Sequence, residues 1–221
     1  MRLSIIVPAL DEAAGIAAAL GNLRAMRARG AEVIVVDGGS SDATAALAAP
    51  LADRVLAAAR GRARQMNAGA AAASGEMLLF LHADTRLPED ADRLLAGHDW
   101  GRFDVRIDSP SPLLRLVAAM MNGRSRLTGI ATGDQAIFAT ADLFRRAGGF
   151  PEIALMEDVA FSARARRLAR PACLRERVTT SARRWQKHGV LATILLMWRL
   201  RAAFALGADP ERLAQRYADH G

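Results

Sequence analysis

Five consecutive apolar residues, Met77 to Leu81, stand between Gly75 and Pro88. A run this short, bounded by breakers, predicts a strand covered on both faces, as the central strands of parallel sheets are. Leu3 to Val7, closed by Pro8, and Glu32 to Val36 predict two more of the same kind, and Arg54 to Leu56 a short additional strand. Between them the apolar period changes. Ile16, Leu20, Leu23 and Met26 recur at helical spacing up to the break at Gly30, and alanine-rich helices are predicted after Asp42 and up to Ser74. Strand and helix alternate, which predicts an α/β fold with a mostly parallel, Rossmann-like sheet flanked by helices.

Beyond Pro88 the pattern loosens. Trp100 to Asp108 alternates around Phe103, Val105 and Ile107 and predicts an antiparallel or edge strand, closed by Ser109-Pro110-Ser111-Pro112. Leu113 to Met121 predicts a helix with a methionine-rich core face. Ala136 to Ala139 and Val178 to Ser181 predict strands, Ala147 to Pro151 a turn, and Val159 to Leu168 a helix opened by Met156-Glu157-Asp158. From Val190 to Leu206, the residues Leu191, Ile194, Leu195, Trp198 and Ala202 make one helical face, interrupted by Arg199 and Arg201. That amphipathic helix is expected to pack on the body; self-association and peripheral contact with a membrane surface are the alternatives.

Composition narrows this picture. The 221 residues, 52% hydrophobic and 24% charged, suffice for one sizeable core. The formal charge of +7 is almost entirely arginine, Lys187 being the only lysine. The arginines are scattered among acidic residues with no basic run interleaved with aromatics, so no nucleic-acid partner is expected. A single cysteine, Cys173, leaves no intramolecular disulfide and fits a reducing compartment. The short strand-like start lacks a signal-peptide core, and no apolar stretch reaches the ~20 residues of a membrane span. The expectation is a cytoplasmic protein, with contact at the inner membrane face left open.

The residues that carry chemistry cluster at strand ends, where open α/β sheets bind ligands. His82-Ala83-Asp84 follows the central strand, and Asp11-Glu12 follows the first. Asp37-Gly38-Gly39-Ser40-Ser41-Asp42 follows the second, a loop that can approach a ligand closely. Asp37 could accept a hydrogen bond from a nucleobase or ribose, while Ser40 or Ser41 suits a helix cap at least as well. Arg60, Arg62 and Arg64 lie beside Gly61 and could grip a diphosphate or form a solvated face. Glu157 and Asp158 would suit a general base if one is desolvated, and otherwise complement the helix dipole. The chain has no G-x-G-x-x-G opening its first helix and no Walker A motif, which counts against nicotinamide and P-loop chemistry.

Taken together and in order, Ile5 to Glu12, Val35 to Asp42, Asn67-Ala68-Gly69, Phe80 to Asp84 and Glu157-Asp158 resemble the family 2 glycosyltransferases, which have the GT-A fold. The wording Gly-Arg-Ala-Arg-Gln-Met-Asn, Leu-His-Ala-Asp, Gly-Asp-Gln and Ser-Ala-Arg-Arg-Trp is similar to a bacterial subgroup associated with radical-SAM and selenium-related proteins. The resemblance implies a domain over residues 1–188 with a packed helical extension over 189–221. It implies that Pro8, Glu12 and Asp37 hold the uracil and ribose of a UDP-sugar, with Arg62, Arg64, Asn67, His82 and Ala83 also on the donor side. Asp84 would ligate Mg²⁺ or Mn²⁺ bridging the diphosphate, and Arg184 and Trp185 would lie near donor and acceptor. Asp158 would be the catalytic base, with Glu157 the second choice, in an inverting transfer to an acceptor hydroxyl on a small molecule, lipid or glycan. Gly133, Asp134 and Gln135 end the stretch expected to meet that acceptor. The sequence departs from the family in two places: Asp11 stands where Asn is usual, and His82 replaces the first carboxylate of the D-x-D motif. A relict fold that binds nucleotide, a partner or a membrane without catalysis is the competing reading. A sugar nucleotidyltransferase would need a glycine-rich N-terminal loop that Ala9 to Gly15 does not supply.

Overall fold

The computed structural model describes residues 1–218. Its strands are β1 (Leu3–Ala9), β2 (Glu32–Asp37), β3 (Arg54–Ala57), β4 (Met77–Phe80), β5 (Thr85–Arg86), β6 (Trp100–Asp108), β7 (Phe138–Thr140) and β8 (Ala172–Ser181). The helices between and after them are α1 (Ile16–Gly21), α2 (Arg24–Ala28), α3 (Thr44–Ala48), α4 (Arg62–Ala72), α5 (Ala91–Leu94) and α6 (Pro112–Thr128). The last five are α7 (Ala141–Arg146), α8 (Glu157–Leu168), α9 (Arg183–His188), α10 (Val190–Ala205) and α11 (Pro210–Ala218). The strands form one sheet in the order β3-β2-β1-β4-β7-β6-β8-β5.

The first half is parallel throughout: β1 pairs with β2 and β4, and β2 with β3. Successive residues of these strands enter opposite cores. Leu3, Ile5 and Val7 of β1, Val33 and Val35 of β2, and Met77 and Leu79 of β4 share one core. Ile6, Ile34, Val36, Leu78 and Phe80 lie in the other. This two-sided burial is what the unbroken apolar runs require. Residues 81–84 leave the end of β4 beside the ends of β1 and β2, because Ala9 is in register with Asp37 and Ile6 with Phe80.

In the second half β6 meets the antiparallel alternative of the sequence reading and not the edge one: β7 pairs with it antiparallel, and β8 pairs parallel on its other side. Its polar alternation mimics a solvent face, yet Arg102 and Asp104 are buried. Arg102 donates to Ser125 Oγ at 2.9 Å, to the Asn122 carbonyl at 3.2 Å and to Asp104. Asp104 also pairs with Arg126 at 2.6 Å, so an ionic network under α6 replaces water. The predicted helix over Ile16 to Met26 is broken into α1 and α2, α6 runs on to Thr128, and β8 begins at Ala172. The face expected to pack on α10 also splits. Leu191, Leu195 and Trp198 are exposed and Ile194 packs on the core, while Leu200, outside that face, is buried with Met156 and Leu213. The expected extension's residues 219–221 lie outside the described residues.

An aromatic cluster sets the position of α8. Phe161 stacks on Phe150 at 4.8 Å between ring centroids and on Phe144 at 5.4 Å, and Phe150 meets the edge of Phe80 on β4 at 4.8 Å. Phe161 lies four residues after Glu157, so it shares that residue's face of the helix and holds the helix start against the end of β4. Phe161→Ala is expected to cost about 3–5 kcal/mol, the range for a fully buried phenylalanine, read as a lower urea midpoint at constant slope.

Candidate active site

The loops that follow β1 and β2 are bound to each other by side chains. Asp11 adopts a left-handed conformation (φ 52°), which Asp tolerates better than most residues because of its short polar side chain. Its carboxylate accepts from the Ser41 amide at 2.8 Å and hydroxyl at 3.0 Å, and its own amide donates to Ser40 Oγ at 2.9 Å. The Glu12 amide donates to Thr44 Oγ1 at 2.8 Å, and the Ala13 amide to Asp42 at 3.0 Å. Asp37 accepts from the Gly39 and Ser40 amides, both at 3.0 Å, and from the Ser40 hydroxyl. Neither serine caps α3, whose N-cap is Ala43; they tie the loops instead. Gln65 completes the frame by donating to the carbonyls of Ala9 and Val36, both at 2.8 Å, and Gly38 leaves room for that amide.

Across the sheet end, α8 meets the segment after β4. Asp158 accepts a 2.8 Å hydrogen bond from the Gly133 amide. A Cβ at Gly133 would lie 2.3 Å from His82 Nε2, so any larger residue would require the imidazole to shift. His82 Nδ1 lies 3.4 Å from Asp134, and Nε2 is buried with no hydrogen-bond partner among the described residues. Glu157 is 3% exposed and pairs with Arg62 at 3.5 Å. Arg62, Phe80, His82, Gly133, Glu157 and Asp158 surround a cavity of about 10 Å³, room for one water molecule. Arg183 donates to Glu12 at 3.2 Å and approaches Asp84 to 4.0 Å, closing the ring of charge. Beside it an open groove of about 300 Å³ runs between α1 and the end of β8, with Asp84 and Arg183 in its wall.

These charges shift one another. Burial, and then the neighbouring Asp158, push the Glu157 carboxyl above its ordinary value, against the pull of Arg62. Desolvation would lower Arg62, but the carboxylates of Glu157, Asp158, Asp134 and Asp84 outweigh it and hold the guanidinium above its usual range. Desolvation works to raise Asp134, yet His82, Arg62 and Arg184 hold it lower than usual. Burial, then Arg62, lowers Arg184, whose guanidinium lies 4.1 Å over the Tyr217 ring.

Residues 4–109 match the family model for glycosyl transferase family 2. That segment, just under half of the chain, resembles a family 2 glycosyltransferase domain, and the fold of the chain is GT-A. Solved structures agree on the fold. Residues 1–349 of TarS from S. aureus, in complex with UDP-GlcNAc, superpose with a TM-score of 0.65 at 20% identity, covering 82% of this chain and 58% of that one. The mannosyltransferase PcManGT from Pyrobaculum calidifontis, in complex with GDP-Man and Mn²⁺, gives 0.66 at 21% identity over 99% and 69%. Glucosyl-3-phosphoglycerate synthase from Mycobacterium tuberculosis, in complex with Mn²⁺, UDP and phosphoglyceric acid, gives 0.56 at 19% identity over 81% and 69%. The chain thus spans under two thirds of the TarS fragment. No curated protein matches the sequence.

Within the GT-A fold the expected site residues divide. Pro8, Glu12, Asp37, Arg62, His82, Ala83, Asp84, Asp134, Glu157 and Asp158 lie on or beside the sheet's C-terminal edge. Asn67 instead brackets the Phe150 backbone, donating at 2.8 Å and accepting at 3.0 Å. Arg64 forms an exposed pair with Glu152 at 3.1 Å. Gln135 is fully buried and bonds Thr132 and Asn122, so it shapes the loop and faces no ligand. Trp185 packs, partly buried, against the core. Arg183 and Gln65 entered the sequence reading only within the Ser-Ala-Arg-Arg-Trp and Gly-Arg-Ala-Arg-Gln-Met-Asn wording, with no role assigned, because a clamp on two carbonyls or on a distant carboxylate needs the fold in place.

The metal expectation fits in a limited way. Among the described residues no three His, Cys, Asp or Glu side chains converge on one point. His82 Nδ1 faces Asp134 while Nε2 has no hydrogen-bond partner among the described residues, and Asp84, 32% exposed, is the carboxylate that would hold an ion. One carboxylate completed by diphosphate oxygens and water suits a hard divalent ion that keeps part of its hydration.

The raised Glu157 carboxyl makes a pH prediction. A group protonated more readily when folded contributes its stability below the unfolded value, here 4.5, and loses it as pH rises through the folded one. Urea midpoints of the wild type are therefore expected to fall relative to Glu157→Gln as pH rises above about 4.5; parallel curves would contradict the assignment.

Proposed function

We propose that this protein is an inverting glycosyltransferase that moves a sugar from a UDP-sugar to an acceptor hydroxyl, with Asp158 as the base. The observation that carries the reading is the Asp158 carboxylate, held by the Gly133 amide at the sheet edge that also presents Asp84 and Arg183. Asp37 and Glu12, on loops locked together before any ligand arrives, are the proposed contacts to uracil and ribose. Such preorganisation lowers the entropy cost of binding.

In the proposed step the acceptor oxygen attacks the anomeric carbon from the face opposite the diphosphate. The new C–O bond forms as the bond to the diphosphate oxygen breaks, and UDP departs with the electron pair. The hydroxyl proton passes to Asp158. Glu157, raised and paired with Arg62, is better suited to keep Arg62 in place than to take that proton. Arg183, Arg62 and Arg184 set positive charge where the departing diphosphate gathers negative charge. A Mg²⁺ or Mn²⁺ ion on Asp84, when bound, would neutralise part of that charge. Support for metal and donor comes from the relatives in complex with Mn²⁺ and with UDP or GDP-Man. The motif wording supports the radical-SAM-associated subgroup. Among the described residues no helix is long and apolar enough to cross a membrane. The exposed Leu191, Leu195 and Trp198 are where membrane contact or self-association would fall.

Two measurements test this. Melting of the purified protein against a nucleotide panel should rise with UDP and rise further with Mn²⁺; a ligand at ~100 times its Kd adds about 2.7 kcal/mol. Asp84→Ala should abolish the Mn²⁺ increment alone. Asp158→Asn should lower turnover by about 10²–10⁴-fold while UDP affinity is kept, and unchanged turnover would remove the proposed base.

A further inference from the structure

Helix α10 is apolar on two opposite faces, and the fold covers only one of them. Toward the body Thr193 and Leu200 are buried, and Leu196 and Phe204 pack with Met156 and Leu213. On the outer side stand Leu191, 68% exposed, Leu195, 54%, Trp198, 59%, and Leu206, 89%. The Leu206 amide donates to the Ala202 carbonyl at 3.0 Å, so it continues the last turn. At 3.6 residues per turn and 1.5 Å per residue, these four and Ala202 fall in a strip about 80° wide and about 22 Å long. A helix apolar all round is ordinarily enclosed, and a continuous exposed stripe of this kind marks a contact surface.

The charge around the stripe decides what covers it. From Arg177 to Ala208 the chain has no Asp or Glu but five arginines and Lys187, a formal +6 beside +7 for the whole chain. Arg199, exposed, borders the stripe on one side and Arg201, half-buried, on the other; the exposed Lys187 precedes Leu191 by one turn. Among the described residues Lys187, Arg199 and Arg201 make no ion pair, so their charge is left for a partner. A second copy laid on the stripe would bring the same cations against each other. An anionic bilayer would take the leucines into its apolar layer and the cations among its headgroups, because long basic side chains reach past an apolar face. Tryptophan suits that boundary too, with an apolar ring and one polar N–H.

We propose that α10 docks this protein flat on an anionic phospholipid surface. Leu191, Leu195, Trp198 and Leu206 enter the acyl boundary, and Lys187, Arg199 and Arg201 meet the headgroups. The insertion is shallow: among the described residues no helix is long and apolar enough to cross a membrane, and the inner face of α10 stays on the body. The inference stands on this helix and not on the glycosyltransferase reading.

The test is flotation of the whole protein with vesicles of phosphatidylcholine alone and of phosphatidylcholine mixed with phosphatidylglycerol. The protein should bind the anionic vesicles, less so as salt rises, and its tryptophan emission should move to shorter wavelength. Trp100 is buried and Trp185 partly so, which leaves Trp198 to report the move. Leu195→Gln and Trp198→Gln should each weaken partitioning about tenfold, the scale of one large side chain kept out of the apolar layer. Arg199→Gln should weaken it about fivefold, as one basic residue near such a surface does. Arg145→Gln, which removes an exposed charge on α7, should change nothing. UDP binding and the melting midpoint should stay as they are in all four variants. If the wild type does not bind UDP, the donor reading fails and the flotation result stands. No binding to anionic vesicles, equally tight binding to neutral ones, or equal loss with Arg145→Gln would overturn the proposal. So would binding that both Leu195→Gln and Trp198→Gln leave intact. A dimer that forms with concentration in the absence of lipid, and that Leu195→Gln disperses, would also overturn it and give the stripe to a second copy. Should Trp198→Gln melt below the wild type, Leu191→Gln takes its place and is read the same way.

Discussion

Everything in this molecule depends on β1, β2 and β4 having no solvent face. A strand apolar on both sides must be covered on both sides, and parallel pairing through crossover helices is the ordinary way to do it. Once Ile5, Val35 and Leu79 enter one core and Ile6, Val36 and Phe80 the other, the register of the three strands has no freedom. Their C-terminal ends then share one edge, and the residues just beyond them must turn away in loops. Asp11, Glu12, Asp37 and Asp84 are polar because they stand where the sheet stops.

The edge is held in a conformation that costs local energy. Among the described residues three non-glycine positions have positive φ: Asp11, Ala136 and Met156. Asp11 and Met156 adjoin the site residues Glu12 and Glu157, and Ala136 adjoins Gln135, which shapes the loop of Gly133. Such backbone persists only where the surroundings over-determine it. Here the surroundings are the serine and threonine ties between the β1 and β2 loops, the buried capping of Thr132 by Gln135, and the aromatic cluster beneath α8. The ionic network of Arg102, Asp104 and Arg126 does comparable work below α6, where a hydrophobic strand would have been simpler. It places α6, and hence Arg124, against the loop that ends at Gly133.

The site balances its charges without cancelling them. Carboxylates at positions 12, 84, 134, 157 and 158 are matched by guanidiniums at 62, 183 and 184, several of them at distances of 3.2–4.0 Å. Held this way, neither set collapses onto the other, and both remain available to a ligand that brings a diphosphate. The His82 substitution fits the same economy. With Nδ1 facing Asp134 and its ring packed on Gly133, His82 has become part of the loop that positions Asp158.

The sequence by itself determined the parallel α/β half and the position of its acidic strand ends, because burial on both faces and breakers at the ends are local, one-dimensional signals. It also marked Asp84 and Asp158 as carboxylates that follow a strand and open a helix. It could not show that Arg102 and Asp104 are interior, because an alternating strand reads the same whether its polar face meets water or an ion pair brought from another helix. Nor could it show that Leu191, Leu195 and Trp198 turn outward, since a helix apolar on most sides does not say which side finds a partner. The roles of Arg183 and Gln65 were decided only by tertiary structure, since their partners lie 29 to 171 residues away. Hydrogen-bond satisfaction is a property of the packed chain, and no local pattern records it.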